Sequence, residues 1–346
     1  MDPLGSAIDA VSERVVEIAS RLVAIPSDGP AHDERLVVAA LADEATSLGL
    51  PRGVVVAGDP AHPNLVIRIV AARPGRVLIL TAHTDTKPPG PEPDPWSGAV
   101  RDGRLHGLGS ADAKGSVAAM LVAAAALAGA GLPSRGELRL VFSADEESEG
   151  TRGLAHLASD GLLAADAAIV GEPSGVERSF DGLPVTARGF VGLTVRARGR
   201  RRHSALASRD DSGDDPLAAI GRAILGLPEA FRSAAAAVWP GPDGLGGPPR
   251  LTFTSMAGGG ADGILADAAW ARGEVRIAAG QSVAEVEAAL RTAMATLPSP
   301  GSRVMDLDLE IDPDEWPASA VDPSATIVTA LADATERVTG RRPSLT

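Results

Sequence analysis

The stretch Val77-Leu78-Ile79-Leu80-Thr81-Ala82-His83-Thr84-Asp85 runs from an unbroken apolar series into an imidazole and a carboxylate. A continuous Val-Leu-Ile-Leu run is the pattern of a strand buried on both faces, as in the interior of a sheet covered by helices. The same progression, strand and then carboxylate, recurs where Glu137 to Ser143 leads to Asp145, Glu146, Glu147 and Glu149, and where Ala167 to Val170 leads to Glu172. Helical apolar spacing covers Ile8 to Ala24, Asp33 to Leu48, Ala113 to Ala130 and Arg152 to Ala158, and Leu65 to Val70 is a further strand. This alternation predicts an α/β domain with a mostly parallel central sheet. Ligands bind such sheets beyond the carboxyl ends of the strands, which is where His83, Asp85, Glu146, Glu147 and Glu172 fall.

The second half of the chain has another rhythm. Strands are expected at Phe190 to Gly199, Leu251 to Ala257, Ala269 to Ile277 and Val304 to Ile311, with helices at Pro216 to Leu225 and Val283 to Leu297. That order, βαββαβ, is the ferredoxin-like plan. A helix over Ser324 to Thr339 returns to the first pattern, so the small domain, 187–313, is expected as an insertion between 1–186 and 314–346. The Pro/Gly-rich Pro240 to Arg250 reads as a surface connection.

Composition narrows the function classes. With 346 residues and 45% hydrophobic content the chain can bury two cores. A net charge of −13, with no basic run longer than Arg200-Arg201-Arg202, argues against nucleic acid and acidic membranes as partners. The first residues lack a signal-peptide pattern and the apolar run Val117 to Gly131 is too short to span a bilayer, so the expected location is the cytoplasm. There is no Cys, so any metal must be held by His and carboxylates.

Four stations carry the chemistry: His83 with Asp85, Asp112, Glu146 with Glu147, and Glu172. A two-metal hydrolase site needs a bridging carboxylate, terminal His and carboxylate ligands, and a free carboxylate as base. His83 and Asp85 lie two apart at a strand end, on one side of it, so Asp85 can accept the far N–H of a metal-bound His83. Each station has a plainer reading as well. His83 and Asp85 also suit a surface His beside a helix-capping Asp, Asp112 an N-cap, and the Asp145 to Glu149 run a solvated loop. Gly107-Leu108-Gly109 is not a dinucleotide loop, since a polar hairpin and no core strand precedes it. Carboxylates crowded at the mouth of a sheet repel one another unless a cation sits among them, and their recurrence at successive strand ends favours the metal.

On these motifs the chain resembles the dinuclear zinc amidohydrolases that include acetylornithine deacetylase, succinyl-diaminopimelate desuccinylase, aminoacylase and glutamate carboxypeptidase. The resemblance covers nearly the whole chain. It implies that His83 and Glu172 bind one zinc, Asp112 bridges, Glu147 binds the second, Asp85 supports His83, and Glu146 is the general base. It further implies a cis peptide bond after Asp112, and a lid and dimerisation domain. There Gly199 to Ala205 carries His203 toward the partner subunit's active site, and Arg188 and Arg276 bind a substrate carboxylate. The implied reaction is hydrolysis of an N-acyl amino acid or short peptide by a zinc-bridged hydroxide, in a homodimer. Zn2+, Co2+ and Mn2+ all suit such ligands.

The resemblance also implies sheet and a zinc-binding His following Pro343-Ser344-Leu345-Thr346, beyond these 346 residues. Leu108 stands where Arg is common, and Gly263 where the lid usually supplies Asn. His32, His62 and His156 are the remaining candidates for the further ligand, each in a helix or loop setting. A catalytically inactive relative or fragment, binding a peptide or acyl amino acid or only dimerising, is the second reading left open.

Overall fold

The structure is a computed structural model that describes residues 3–29, 33–148, 150–174, 180–206, 215–239, 249–259, 261–297 and 307–346. It forms two compact units, Met1–Pro173 and Ser174–Thr346. The last helix, placed by sequence with the first domain, falls in the second of these units.

In the first unit, counting elements of three residues or more, α1 (Pro3–Val11) and α2 (Arg14–Val23) replace the single expected helix, with a turn at Ser12 and Glu13 between them. Next come α3 (Arg35–Ser47), β1 (Val54–Val56), β2 (Asn64–Val70), β3 (Val77–His83), α4 (Lys114–Gly129), β4 (Glu137–Ser143), α5 (Leu154–Ser159) and β5 (Ala167–Val170). The sheet order is β1-β2-β4-β3-β5. The sheet is mixed: β4, β3 and β5 run parallel, while β1 and β2 add antiparallel pairings at the far side. The three parallel strands are the ones that run out into the candidate site residues.

β4 is central and buried at every position. Leu138, Leu140 and Phe142 face a core shared with Ile18, Leu22, Leu41, Leu65, Ile67 and Leu121, and Val141 faces Val66, Ile79 and Leu157 on the other side. The Ala-rich α4 lies close to the sheet because Val117, Ala118, Leu121 and Ala125 present little bulk between branched residues.

One charged triad is built into this sheet. Arg68 and Arg139 are directly opposed on β2 and β4, and Glu137 sits between them. Glu137 accepts from Arg68 Nε at 2.8 Å and Nη2 at 2.6 Å, and from Arg139 Nε at 2.7 Å. The Arg68 guanidinium, aided by Arg139, pulls the Glu137 carboxyl down from its ordinary 4.5 to about 2. A carboxyl lowered on folding adds stability that is complete above its unfolded pKa and lost as pH falls through the folded one. Glu137→Gln is therefore expected to cost about 1–3 kcal/mol at neutral pH, discounted for the exposed Arg68. The deficit should shrink between pH 4.5 and 2, as read by urea melts of both proteins across that range.

The second unit has β6 (Gly189–Arg198), α6 (Pro216–Val238), β7 (Arg250–Gly258), β8 (Ala268–Ile277), α7 (Val283–Ala295), β9 (Leu307–Trp316) and α8 (Thr326–Thr339). Its sheet, β7-β8-β6-β9, is antiparallel throughout, so the βαββαβ order closes in the ferredoxin-like arrangement. α6 and α7 supply Ile220, Leu227, Phe231, Val286 and Leu290 to a core with Val191, Leu193 and Val195. The expected end of α6 at Leu225 is corrected: the helix continues through Pro228 to Val238. Pro228 removes one donor, but buried Leu227, Phe231 and Ala235, four apart, keep the packing face continuous. The expected strand from Val304 to Ile311 is β9 from Leu307 onward, while 304–306 and most of the loop from Pro240 lie outside the described residues.

Candidate metal centre

The parallel strands stop together. His83, the last residue of β3, pairs with Ser143, the last of β4, and Thr81 pairs with Val170, the last of β5. The segment after each strand therefore projects from one edge of the sheet. Gly171 lets the last of these segments lie close: a Cβ there would meet Ser116 Cβ at 2.8 Å and Ala82 Cβ at 3.1 Å, so only glycine lets Glu172 leave β5 along this path.

At that edge His83 is buried, with Nε2 2.9 Å from Asp112 Oδ1 and 3.7 Å from Glu172 Oε1. Its Nδ1 lies 3.0 Å from the Asp85 carbonyl oxygen and 3.4 Å from Asp85 Oδ1. Asp85 also turns to the neighbouring loop: its Oδ1 accepts the Glu146 N–H at 3.1 Å and its Oδ2 the Glu147 N–H at 2.9 Å. It caps no helix. Asp112 does not cap one either: α4 starts after Ala113 without a side-chain cap, and the Asp112–Ala113 bond is cis.

His83, Asp112 and Glu147 each offer a ligand atom, all within 4.8 Å of one another, the metal-capable group among the described residues. Glu172 stands beside it, and Glu146 is half-buried next to it in sequence. Burial pushes the Glu172 carboxyl up to about 7, with Glu146, Asp112 and Glu147 adding to the rise and His83 opposing it. Burial likewise raises Glu146, where His83 opposes and Glu147, Asp85 and Asp112 add. For His83, burial disfavours the charged ring, but hydrogen bonds to Asp85 and Asp112 outweigh it and lift the pKa to about 10. An imidazole among carboxylates that resist ionising together is a donor set whose strain a divalent cation relieves, so the residues fit the metal that the sequence implies.

Two lysines frame the centre, and neither stands out from sequence. Lys114 is fully buried: its Nζ donates to the Ile25 carbonyl at 2.7 Å and lies 5.3 Å from the centre of the Trp96 ring. Burial lowers it to about 8, against the attraction of Asp28 and Asp85. A lysine at the first position of a helix opposes the helix dipole, and that is its available signal in Asp112-Ala113-Lys114-Gly115. Lys87 is exposed and reaches Glu147, with Nζ 2.9 Å from Oε2. Its ammonium competes with a metal for that carboxylate. Lys87→Met is expected to tighten divalent-ion binding about 2- to 5-fold, the worth of an exposed pair, in a competition titration against a chromophoric chelator.

In the second unit, His203 Nδ1 accepts the Ala205 N–H at 3.2 Å, which in the neutral ring leaves the proton on Nε2. Arg276 Nε donates to Glu274 Oε1 at 2.8 Å, and its guanidinium lies 5.3 Å from the centre of the Phe190 ring. Arg188 lies just before β6 and is exposed. Among the alternative histidines, His62 is engaged by Glu34, His156 stands 3.8 Å from Asp160, and His32 lies outside the described residues. No helix among the described residues is long and apolar enough to cross a membrane.

Known proteins resemble this chain in sequence and in fold. A succinyl-diaminopimelate desuccinylase of Methylorubrum extorquens is 28% identical over 341 residues, 95% of this chain and 84% of that protein. The enzyme of the same name from Xanthomonas oryzae pv. oryzae is 42% identical over 136 residues, a match spanning only 36% of its length and 37% of this chain. Among solved structures, human carnosine dipeptidase 1 superposes with a TM-score of 0.71 over 99% of this chain and 86% of its own, at 15% identity. A dinuclear metal-binding peptidase of Bacillus subtilis does so with a TM-score of 0.62 over 98% and 82%, at 16% identity, and both share the fold. Residues 79–346 match the family described as Peptidase family M20/M25/M40, and the chain belongs to that family of hydrolases.

Proposed function

We propose that this protein is a metal-dependent amide hydrolase acting on an N-acyl amino acid or short peptide that bears a carboxylate. The observation that carries the reading is the convergence of His83, Asp112 and Glu147 at one sheet edge with the half-buried Glu146 beside them. The names of the desuccinylase relatives support an acyl amino acid as substrate. His83 and Glu172, with Asp112 as bridge and Glu147, would hold a pair of Zn2+, Co2+ or Mn2+ ions. Bound, such ions lower the pKa of water toward 7 and polarise a carbonyl.

The chain's own groups carry the proton. Glu146 takes it from the attacking water as oxygen bonds to the acyl carbon, then delivers it to the amine nitrogen as the C–N bond breaks, leaving a carboxylic acid and an amine, which exchange the second water proton to become carboxylate and ammonium. His203, with its proton on Nε2, donates to the oxyanion, supplied by the partner subunit of a homodimer formed through the lid, 187–313. Residues 1–186 and 314–346 then form the metal-binding domain. Arg188 and Arg276 bind the substrate carboxylate, Arg276 being held in place by Glu274 and Phe190.

The test is amine release from a panel of N-succinyl, N-acetyl and dipeptide substrates after loading with Zn2+ or Co2+. Release abolished by chelation and restored by metal is expected. A metal-loaded protein that cleaves none of the panel but binds its members would establish the noncatalytic reading instead.

A further inference from the structure

Four consecutive backbone N–H groups leading out of β4 each donate to a side-chain oxygen from elsewhere in the first unit. Ala144 donates to Asn64 Oδ1 at 3.0 Å, Asp145 to Glu34 Oε1 at 3.1 Å, and Glu146 and Glu147 to the two oxygens of Asp85. Asp145 has a φ of 61°, in the left-handed region that disfavours side chains other than glycine, so this loop holds its course against a local preference.

The Asp145 amide belongs to a closed circuit. Glu34 is buried, and its Oε2 accepts from His62 Nδ1 at 2.7 Å. His62 Nε2 lies 3.3 Å from Arg152 Nη1, and Arg152 returns to Asp145 through its backbone N–H to Oδ2 at 3.2 Å and Nη1 to Oδ1 at 3.2 Å. With the Nδ1 proton on His62 directed to Glu34 and Nε2 accepting from Arg152, every member has a partner. None of Glu34, His62 and Arg152 belongs to the metal-capable group.

We propose that Glu34 and His62 are positioning residues for the metal centre. Through the Asp145 amide they fix where the next two residues, the base Glu146 and the ligand Glu147, enter the site. The inference rests on the metal-dependent reading above.

Its test is a titration of the full-length, metal-free chain with Co2+, read by the visible d–d spectrum, so that it stands apart from turnover. Glu34→Gln keeps an oxygen for the Asp145 N–H, whereas Glu34→Leu has similar bulk and removes it. A merely structural role would lower the folding stability of Glu34→Leu, which strips the acceptor from the Asp145 N–H and the His62 ring, and leave the Co2+ affinity and band of the folded chain unchanged. We expect Glu34→Leu to weaken Co2+ binding about 10- to 100-fold and alter the band, and Glu34→Gln, which keeps the oxygen for the Asp145 N–H but turns its NH2 toward His62 Nδ1, to fall between Glu34→Leu and the wild type. His62→Leu leaves Glu34 in place without its 2.7 Å donor, and is expected to weaken binding in the same direction if Glu34→Leu does not fold. Unchanged affinity and spectrum in Glu34→Leu, or unchanged affinity in His62→Leu, overturns the proposal alone. A wild-type chain that takes up no Co2+ overturns the metal reading and the proposal with it.

Discussion

Glu146→Gln is expected to lower kcat by on the order of 10²- to 10⁴-fold, the usual contribution of a positioned general base, with metal content and KM little changed. Burial raises the Glu146 carboxyl, and the charges of Glu147, Asp85 and Asp112 add to it, so it takes up a proton more readily than an ordinary glutamate. Gln fills the same space and leaves the backbone N–H of residue 146 on Asp85, so the loop keeps its anchor. Because Glu146 is outside the group formed by His83, Asp112 and Glu147, the metal stays. Steady-state kinetics alongside elemental analysis make the measurement, and an unchanged kcat would remove Glu146 from the reaction.

The second large effect belongs to Asp85. Its carboxylate holds two loop amides and lies against the far nitrogen of His83, so one side chain aligns two walls of the centre. Asp85→Asn is the sharper substitution: the amide has one oxygen where two N–H groups need acceptors, and its NH2 meets the other donor head-on. A loss of metal affinity of about 10- to 100-fold is expected, the range typical when the partners that orient a ligand are removed. Chelator competition measures it. Wild-type affinity in Asp85→Asn would mean that one accepted amide suffices to place Glu147.

Much of this was legible in the residues. His83, Asp85, Glu146, Glu147 and Glu172 stood out because buried parallel strands announce their own ends, and a charge immediately after an apolar run has one place to go. The βαββαβ order was legible for the same reason, since its strands alternate with recognisable helices. The mixed character of the first sheet was not, because Val54–Val56 is too short to show a period and strand direction depends on which neighbour a strand finds. Nor was the circuit of Glu34, His62, Asp145 and Arg152, in which only Asp145 and Arg152 are near in sequence and the other links join positions 28 to 111 apart. The full length of α6 was not legible either, because the buried face of Leu227, Phe231 and Ala235 carries the helix past Pro228 and outweighs its one missing donor.

The two lysines respond differently to ionic strength. Lys87 is exposed, within reach of salt whose screening length is about 8 Å under physiological conditions, so its hold on Glu147 loosens as ions are added. Lys114 lies beneath the same acidic cluster with no exposed surface, and bulk ions do not reach it. The centre thus has an outer counter-charge that added salt weakens and an inner one that salt leaves unchanged. In a chain with a net charge of −13, Lys114 keeps its positive charge beside Asp28 and Asp85 at any salt concentration and gives it up only as pH rises through about 8.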